Sequence, residues 1–549
     1  MDKSKKDNGL RWSTLKHQGV LFPESFQSLP KDVVVLYNGN RIKLDGKDIN
    51  NPFNISAEEA AVFFAQKIEQ DRRLQGKRAD KRTVLTDKLF RKNFWNDWKV
   101  ILGKNHPIKD FEQVDFTPMV NYLAKQSEGK KDDRKKMTKE EKKQDKEEKE
   151  EKKQKYSYAE IDGERVVINN SIQPPGLFIG RGEAPLRGKI KRRILPADIT
   201  INVSKQYVPK CRYNNKECKW GNIVENKEAA WLAGYINPVT RDHVYIFVER
   251  AQSKWVAESD QQKFEKARKL NNNIQHIRKE YTKDMKNEND ESRQLATAVY
   301  LLDQLAIRPG TEKDDKEAAT QGLTTLEPKN ILFKGDNTIK LKFLGKDSIE
   351  FEKTIKIDSI AYKNLKELAA GNKKRLFPKV TSSSLNAYLK GLMPGLTAKV
   401  FRTWRASSIL QQELDNNKVD VNSATHIKKL VYDKANIASA LRLNHKRMSE
   451  NTEKIQKLNE KIKELYDKQK EAKTEKQQAA VQKSIEIAEA KLEESEHNIS
   501  LATSKVNYID PRIVVSWCKK SEMPIEKIYN KSQLKKFVWS MSNETDWQF

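Results

Sequence analysis

With 549 residues the chain is long enough for several domains, and its 37% hydrophobic content with 10 Trp, 16 Tyr and 19 Phe excludes a wholly disordered chain. Lysine and arginine number 106 against 77 acidic residues, so the net charge of +29 predicts a polyanionic partner, nucleic acid first and an anionic membrane second. No apolar run approaches the ~20 residues that span a bilayer, so no membrane-spanning helix is expected, and no apolar signal-peptide region follows the start.

The cysteines are few. Cys211, Cys218 and Cys518 are the only three in the chain, and an odd, low count favours a reducing compartment. Six residues separate Cys211 from Cys218, and no histidine or second cysteine pair stands beside them. The spacing therefore argues against a metal site.

The first 155 residues predict a hairpin, two helices and a charged segment. Residues 33–37 and 41–44 read as strands around an Asn-Gly-Asn turn. Ser56 has the chemistry of a helix cap, and residues 90–101 form a second helical block. The dense charge run at 128–155 predicts a solvated helix or a mobile segment, in preference to a nuclear-import signal.

A glycine-rich loop at 176–182 precedes a basic run at 188–193. The loop lacks the Gly-Lys-Ser/Thr of a Walker A sequence, and its glycine spacing does not fit a dinucleotide fingerprint. A basic loop that contacts a DNA backbone fits better, and strands are predicted beyond it at 199–203, 231–236 and 243–248.

Helices dominate the pattern after residue 255. Two are predicted between 255 and 306, followed by a hairpin over 337–351 that places Lys346 at or beside its tip. An amphipathic helix at 397–414 carries Arg402 and Arg405. Another, at 432–445, ends near His445.

Residues 448–500 have a different character. Apolar residues recur at heptad spacing on both sides of a polar stretch at 469–478, which predicts two helices folded back as an antiparallel coiled coil. The apolar seam is narrow, so we expect the coiled coil to protrude from the body. A compact C-terminal unit is predicted to follow, with Trp517, Phe537 and Trp539 in its core.

Tyr508 stands just before a predicted helix start. Asp510 and Pro511 read as the N-cap and first position of that helix. Helix N-termini favour anions, so a phenol presented here is placed to attack a phosphate. The plainer interpretation is a half-buried structural tyrosine.

A tyrosine that attacks a phosphodiester needs help from cations. A phenol has a pKa near ~10 and is a poor nucleophile alone. Arginines match the phosphate oxygens, a lysine can protonate the leaving alkoxide, and a histidine can donate a hydrogen bond to the phosphate at neutral pH.

Five motifs carrying these residue types occur in order. They are Ile-Arg-Pro-Gly at 307–310, Phe-Leu-Gly-Lys-Asp-Ser at 343–348, Leu-Thr-Ala-Lys-Val-Phe-Arg-Thr at 396–403, Asn-His at 444–445 and Ser-Lys-Val-Asn-Tyr-Ile-Asp-Pro-Arg at 504–512. In this order the chain closely resembles the eukaryotic type IB DNA topoisomerase I family, from about residue 10 to the C-terminus.

The resemblance assigns roles residue by residue. Tyr508 matches the nucleophile that becomes a 3′-phosphotyrosine, and Lys346 matches the hairpin lysine favoured as general acid for the 5′ oxygen. Arg308, Arg402 and His445 match the groups that bind the scissile phosphate. The expected DNA-binding residues are Arg181, Lys191, Arg192, Arg193, Lys399, Asn507 and Asp347. Of these, Asn507 and Asp347 match positions that line the camptothecin pocket in the family.

The resemblance also implies an α+β, multi-subdomain clamp, mostly helical with small antiparallel β-sheets. Core subdomain I would comprise 1–33 and 137–253, the cap or subdomain II 34–136, and catalytic subdomain III 254–447. A coiled-coil linker would span 448–500, and a small helical C-terminal domain with the nucleophile 501–549.

Four departures from the family pattern are apparent. Ile179 stands where an arginine is usual, Pro309 replaces a small residue, and Thr311 replaces an asparagine. A Trp-Arg pair at 404–405 replaces Tyr-Asn. None removes a matched catalytic group, although the change at Ile179 puts one DNA contact in doubt.

The implied activity is relaxation of positive and negative supercoils in double-stranded DNA by a monomer, without ATP or a metal. A nuclear location is expected, although the family's long charged N-terminal tail is almost absent. One alternative is a tyrosine recombinase, which uses the same Arg-Lys-Arg-His-Tyr chemistry but usually has a histidine where this chain has Lys399. Another is a DNA-binding protein with no enzymatic activity.

Overall fold

The computed structural model describes residues 10–45, 51–74, 83–214, 216–247, 254–310, 318–371, 374–447 and 452–549. These residues form two compact units, one within 10–247 and one made of 254–310 and 318–549. The predicted α+β class is confirmed, because helices predominate in the described residues and the sheets are small. None of the described helices is long and apolar enough to cross a membrane. The predicted subdomain boundaries within the units stay predictions.

The first unit combines short strands with four helices among its described residues. The strands are β1 Leu15–His17, β2 Val35–Tyr37, β3 Asn40–Ile42, β4 Val114–Asp115, β5 Tyr158–Ile161, β6 Glu164–Val167, β7 Gly176–Leu177, β8 Ile190–Lys191, β9 Thr200–Asn202, β10 Cys211–Tyr213, β11 Lys216–Cys218, β12 Asn222–Val224, β13 Trp231–Ile236 and β14 His243–Phe247. The helices are α1 Ala57–Arg73, α2 Lys88–Leu102, α3 Thr117–Lys136 and α4 Lys139–Gln154.

An aromatic core holds α1, α2 and α3 together. Ser56 caps α1 as predicted, its hydroxyl accepting from the backbone N–H of Glu59. The Phe64 and Phe94 rings stack with centroids 4.6 Å apart, and Trp98 lies 5.5 Å from Phe94. Beyond this core the second half of α3 is exposed, and α4 continues the charged segment as a helix, so the prediction of a solvated helix is confirmed.

A four-stranded sheet, in the order β12-β9-β13-β14, forms the second core of this unit. The predicted strands at 199–203, 231–236 and 243–247 are confirmed, while residue 248 lies outside the described residues. The β9–β12 pair is parallel, so the expectation of antiparallel sheets was wrong at this one pair.

The β10–β11 hairpin changes the interpretation of the cysteines. Its register sets Cys211 opposite Cys218, with Cα atoms 5.2 Å apart, and the two are joined as a disulfide. The number of cysteines did not predict this disulfide. The pairing depends on the register of the hairpin, which places Cys211 opposite Cys218. Cys518 is a buried free thiol.

The second unit is largely helical. Its helices are α5 Lys254–Asp284, α6 Asp290–Leu305, α7 Ser359–Gly371, α8 Ser382–Leu392, α9 Ala398–Asn416, α10 Thr425–Arg442, α11 Thr452–Glu471, α12 Glu475–Glu496, α13 Leu501–Asn507, α14 Pro511–Lys520 and α15 Lys531–Lys536. Its one sheet among the described residues has the order β15-β16-β17, with β15 Ile331–Phe333, β16 Thr338–Leu344 and β17 Glu350–Lys356. A single apolar cluster joins α5, α6, α8 and the start of α9 to this sheet.

The coiled coil is confirmed as α11 and α12 packed antiparallel. The prediction that the coiled coil protrudes from the rest of the unit is correct only in part, because α12 is also held against α10. α12 also packs against α10, where the His426 imidazole lies 3.5 Å from the Glu486 carboxylate, and Ile485 and Ala488 are buried. The apolar residues of α12 are therefore divided between two partners.

The two ends of the coiled coil meet beside α10. Lys446 and Ile499 form an isolated antiparallel bridge, and the backbone N–H of Arg447 donates to the carbonyl of Asn498 at 2.7 Å. One residue further along, Ser500 N–H donates to the carbonyl of His445 at 2.7 Å. The chain thus leaves and re-enters the body at one point.

Candidate active site

Lys346 is delivered by the β16–β17 hairpin. The two strands pair along their whole length, and Leu341 and Phe343 point into the core. The chain turns over directly after β16, where Asp347 and Ser348 take left-handed conformations with φ of 68° and 58°. Lys346 is exposed at this turn, as the sequence predicted.

Arg402 is the buried cation of the site, with 3% of its surface exposed. Its Nη1 donates to the carbonyl of Ala306, and its Nη2 to the carbonyl of Leu443 at 3.1 Å. No carboxylate among the described residues pairs with Arg402 or with Arg308. A buried guanidinium without a counter-ion is costly unless other groups compensate its charge.

Two helix ends provide that compensation. Ala306 is the C-cap of α6, in a left-handed conformation, and Leu443 is the C-cap of α10. The last carbonyls of a helix carry a partial negative charge equivalent to roughly half an electron. They hold Arg402 in place without a full negative charge beside it, so the guanidinium is left able to pair with an anionic phosphate.

His445 follows directly on α10. Asn444 has φ of 53° and turns the chain, and His445 N–H donates to the carbonyl of Ala440 at 3.0 Å. Burial, with Arg402 and Arg308 nearby, lowers the pKa of His445 to about 3. The imidazole is therefore neutral at physiological pH.

The tautomer of His445 differs from what the predicted role requires. Its Nε2 lies 3.2 Å from Nη2 of Arg402, and since arginine can only donate, Nε2 accepts and the proton sits on Nδ1. That Nδ1 has no hydrogen-bond partner among the described residues. Donation from Nε2 to a phosphate therefore requires the Arg402 contact to give way to the anion and the imidazole proton to move from Nδ1 to Nε2.

Tyr508 is the C-cap of α13 and packs against the cations. Its ring centroid lies 5.0 Å from Cζ of Arg402 and 5.1 Å from the imidazole of His445. The Tyr508 ring is half-buried, so the phenol is packed against these side chains as well as placed near a helix start. Burial raises the pKa of the Tyr508 phenol, but Arg402, Arg308, a hydrogen bond from Arg402 and the charge of Lys399 together bring that pKa below its ordinary value.

The segment that follows anchors Tyr508. Asp510 caps α14, as predicted, and its carboxylate is held by Arg512 at 2.7 Å. Arg512 also pairs with Glu265 of α5, while the hydroxyl of Ser407 on α9 donates to the carbonyl of Tyr508 at 3.2 Å. The tyrosine is therefore fixed to the same helix that carries Arg402.

A cavity of about 120 Å³ is lined by four of the five predicted catalytic residues. Arg308, Lys346, Arg402 and His445 line it, together with Asp347. Of the other predicted residues in this unit, Lys399 is exposed one turn before Arg402, and Asn507 is exposed with its amide donating to the carbonyl of Thr503 at 3.2 Å. The structure thus brings all five predicted catalytic side chains into one region of the second unit.

The predicted DNA-binding residues of the first unit do not share one environment. Arg181 is exposed in the glycine-rich loop. Arg193 is buried, 2.5 Å from Glu59, and Arg192 lies 2.6 Å from Asp198. Contact of Arg193 with DNA would require its buried ion pair to break, and Arg192 is also paired with a carboxylate, so the DNA-binding roles of both stay predictions.

Lys191, next to these arginines, is half-buried, and burial lowers its pKa. The loop that carries Arg181 depends on Gly188 (φ 89°), where a Cβ would stand 2.2 Å from the carbonyl oxygen of Phe90. A side chain at that position would therefore displace the loop from α2.

The Trp404-Arg405 pair, one of the departures from the family pattern, belongs to a structural network. Arg405 reaches the Asp303 carboxylate at 2.7 Å, and Arg278 reaches the same carboxylate at 2.8 Å. Trp404 donates to the side chain of Asn271 at 2.8 Å. These contacts fix α9 to α5 and α6. Residue 311, another of the departures, lies outside the described residues.

Comparison with known proteins gives three family models in sequence order. They are "Eukaryotic DNA topoisomerase I, DNA binding fragment" over residues 10–248, "Eukaryotic DNA topoisomerase I, catalytic core" over 252–478 and "C-terminal topoisomerase domain" over 481–549.

Curated relatives match nearly the whole chain. DNA topoisomerase 1 beta of Arabidopsis thaliana is 39% identical over 99% of this chain and 60% of its own length. The mitochondrial DNA topoisomerase I of Homo sapiens is 33% identical over 98% of this chain and 92% of its own length. The chain therefore spans 60% of the Arabidopsis relative and nearly all of the human mitochondrial one.

Proposed function

Because the chain belongs to the eukaryotic DNA topoisomerase I family, we propose that it relaxes supercoiled duplex DNA by cutting and resealing one strand. The observation that carries the proposal is the convergence of Arg402, Arg308 and His445 beside the Tyr508 ring, with no paired carboxylate among the described residues. Such a site is complementary to a phosphodiester and to the extra charge of its transition state.

In the proposed reaction the phenol oxygen of Tyr508 attacks the phosphorus and the bond to the 5′ oxygen breaks. The phenol proton passes to solvent, and the Lys346 ammonium protonates the leaving 5′ oxygen. The 3′ phosphate is left bonded to Tyr508 while the free end rotates about the intact strand. Resealing is the reverse reaction, and since the phosphotyrosine keeps the bond energy, no nucleotide is consumed.

The positive charges needed for this chemistry are on the chain itself. Arg308 and Arg402 hold the two nonbridging oxygens, and His445 donates to the phosphate once the anion replaces the Arg402 contact and the imidazole proton has moved to Nε2. We therefore propose that relaxation needs neither ATP nor a metal, and that a monomer acts on double-stranded DNA.

Relaxation without cofactors is the direct test. Purified protein in EDTA, without ATP, is expected to relax both positively and negatively supercoiled plasmid, and denaturant is expected to trap DNA joined through its 3′ end to the Tyr508 peptide, identified by mass spectrometry. Joining that occurs only between specific sites in a tetrameric complex would indicate a recombinase. Binding with no trapped adduct would indicate a DNA-binding protein without enzymatic activity.

Shortening the coiled coil tests separately its effect on DNA rotation and its packing against α10. Replacing residues 466–484 by a short glycine linker removes the tip but keeps Ile485, which lies in the part of α12 that packs on α10. We expect single-turnover cleavage within roughly twofold of the natural chain, because the change is remote from the catalytic groups. The rate of plasmid relaxation is expected to change, since the segment that accompanies rotation is altered.

The matched variant removes all of 452–496. This deletion also removes the contact between α12 and α10, and the last residues of α10 position His445. Cleavage is therefore expected to fall by roughly tenfold, or about 1.4 kcal/mol of activation free energy. Rapid-quench cleavage of a suicide duplex measures both variants. Equal cleavage by the two would show that the α10 contact does not matter.

A further inference from the structure

Lys353 is a lysine on the buried side of a strand. β17 and its preceding turn alternate Ile349, Phe351, Lys353 and Ile355 on the side that faces the body of the unit. The Lys353 ammonium donates to the carbonyl of Arg442 at 3.1 Å. The contact is made at the end of α10, three residues before His445.

The groups that face Lys353 are almost all cations. Arg442 comes from α10, Arg402 from α9 and Lys446 from the segment after α10, and the Phe351 ring of its own strand lies 5.9 Å away. No carboxylate among the described residues forms an ion pair with it. Burial, then Arg442, Arg402 and Lys446, lowers the pKa of Lys353 to about 8.

Two consecutive carbonyls at the end of α10 are thus held by two cations. Lys353 donates a hydrogen bond to the carbonyl of Arg442, and Arg402 donates one to the next carbonyl, that of Leu443. The chain then turns at Asn444 and places the His445 imidazole 3.2 Å from Arg402. A shift of the Arg442 carbonyl therefore moves both contacts.

We propose that Lys353 is a positioning residue of the cleavage site, which fixes the end of α10 and thereby the His445 imidazole against Arg402, and whose charge adds to the field that binds the phosphate. The proposal rests on the proposed function for its kinetic consequence, but the positioning of His445 does not depend on DNA.

The DNA-free test is an NMR titration of the histidines. The chain has seven, and a His445→Gln spectrum assigns the signal of interest. In the natural chain the ¹³C-labelled imidazole signal of His445 is expected to shift with a midpoint near the Lys353 pKa of about 8. In Lys353→Met the signal is expected to be displaced at pH 7 and to show no such midpoint. Lys353→Arg, which keeps a donor that stays protonated, is expected to remove the midpoint as well.

The control is Lys356→Met, the same change on an exposed lysine of the same strand, whose ammonium pairs with Asp336 at the far side of the hairpin. It is expected to leave the His445 signal and its midpoint unchanged. If Lys353→Met does not fold, the presence of the midpoint in the natural chain and its absence in Lys353→Arg still test the proposal.

The kinetic test is single-turnover cleavage at saturating duplex between pH 7 and 9. Lys353→Met is expected to cleave about tenfold more slowly than the natural chain at pH 7. That ratio is expected to shrink as the pH rises through about 8, while the ratio of Lys353→Arg to Lys353→Met stays constant. A lysine that served only to fill space would give a ratio independent of pH.

A pH-independent ratio, or a His445 signal unmoved in Lys353→Met, overturns the proposal. Failure of the proposed function is distinguishable, because it would abolish cleavage in every variant, including the natural chain, and leave the NMR result intact.

Discussion

Tyr508→Phe is expected to bind duplex DNA as the natural chain does and to relax none of it. The substitution removes one oxygen and keeps the ring, so the packing against Arg402 and His445 is retained. Because that oxygen is the atom proposed to bond to phosphorus, loss of cleavage should be at least about a thousandfold, limited by detection. Fluorescence anisotropy gives the DNA affinity, and gel relaxation with denaturant trapping gives the activity.

Tyr432→Phe is the matched control. Tyr432 is buried in the apolar cluster that Tyr508 packs against, and its hydroxyl has no hydrogen-bond partner among the described residues. Its loss is expected to leave relaxation unchanged. Residual relaxation by Tyr508→Phe above that of a heat-inactivated sample would mean that another group is the nucleophile.

Arg402→Ala is expected to lower single-turnover cleavage by about 10²–10³-fold, or roughly 3–4 kcal/mol, as for loss of one donor that stabilises developing charge. Arg402→Lys should rescue little, because the compact ammonium cannot span the carbonyls of Ala306 and Leu443 and a phosphate as the planar guanidinium can. Rapid quench at saturating duplex separates the chemical step from binding.

Gln412→Ala, an exposed change on the same helix, is the control and should cleave as the natural chain does. Urea unfolding of both variants shows whether any loss arises from folding. If Arg402→Ala cleaved within a few fold of Gln412→Ala, the buried guanidinium would have a structural role only.

Local structure was the most predictable part of the chain. The Lys346 hairpin, the Ser56 cap and the Asp510-Pro511 start of α14 are each specified by neighbouring residues, and all three are confirmed. The coiled coil was equally visible, because heptad spacing is a property of the sequence alone. The five catalytic residues came from a resemblance, and their proximity is now a geometric finding, while their roles stay predictions.

Tertiary pairing was not predictable from local pattern. Whether Arg193 meets solvent or Glu59 depends on a residue 134 positions away in the chain, and the helix ends that hold Arg402 lie 96 and 41 positions from it. Lys353 did leave a signal, since it is a lysine in the apolar phase of an alternating strand. The packing of α12 on α10 was missed because the narrow apolar stripe of α12 does not indicate whether it packs against one helix or two.

The base of the coiled coil has a mechanical consequence. The 20 residues of α11 make an arm of about 30 Å at 1.5 Å per residue, and its base, where Lys446 pairs with Ile499, lies directly beside His445. A tilt of one degree moves the tip by about 0.5 Å over such a length. If DNA rotates past the arm as proposed, a force on the tip is transmitted along α12 to α10 and to the backbone that carries His445.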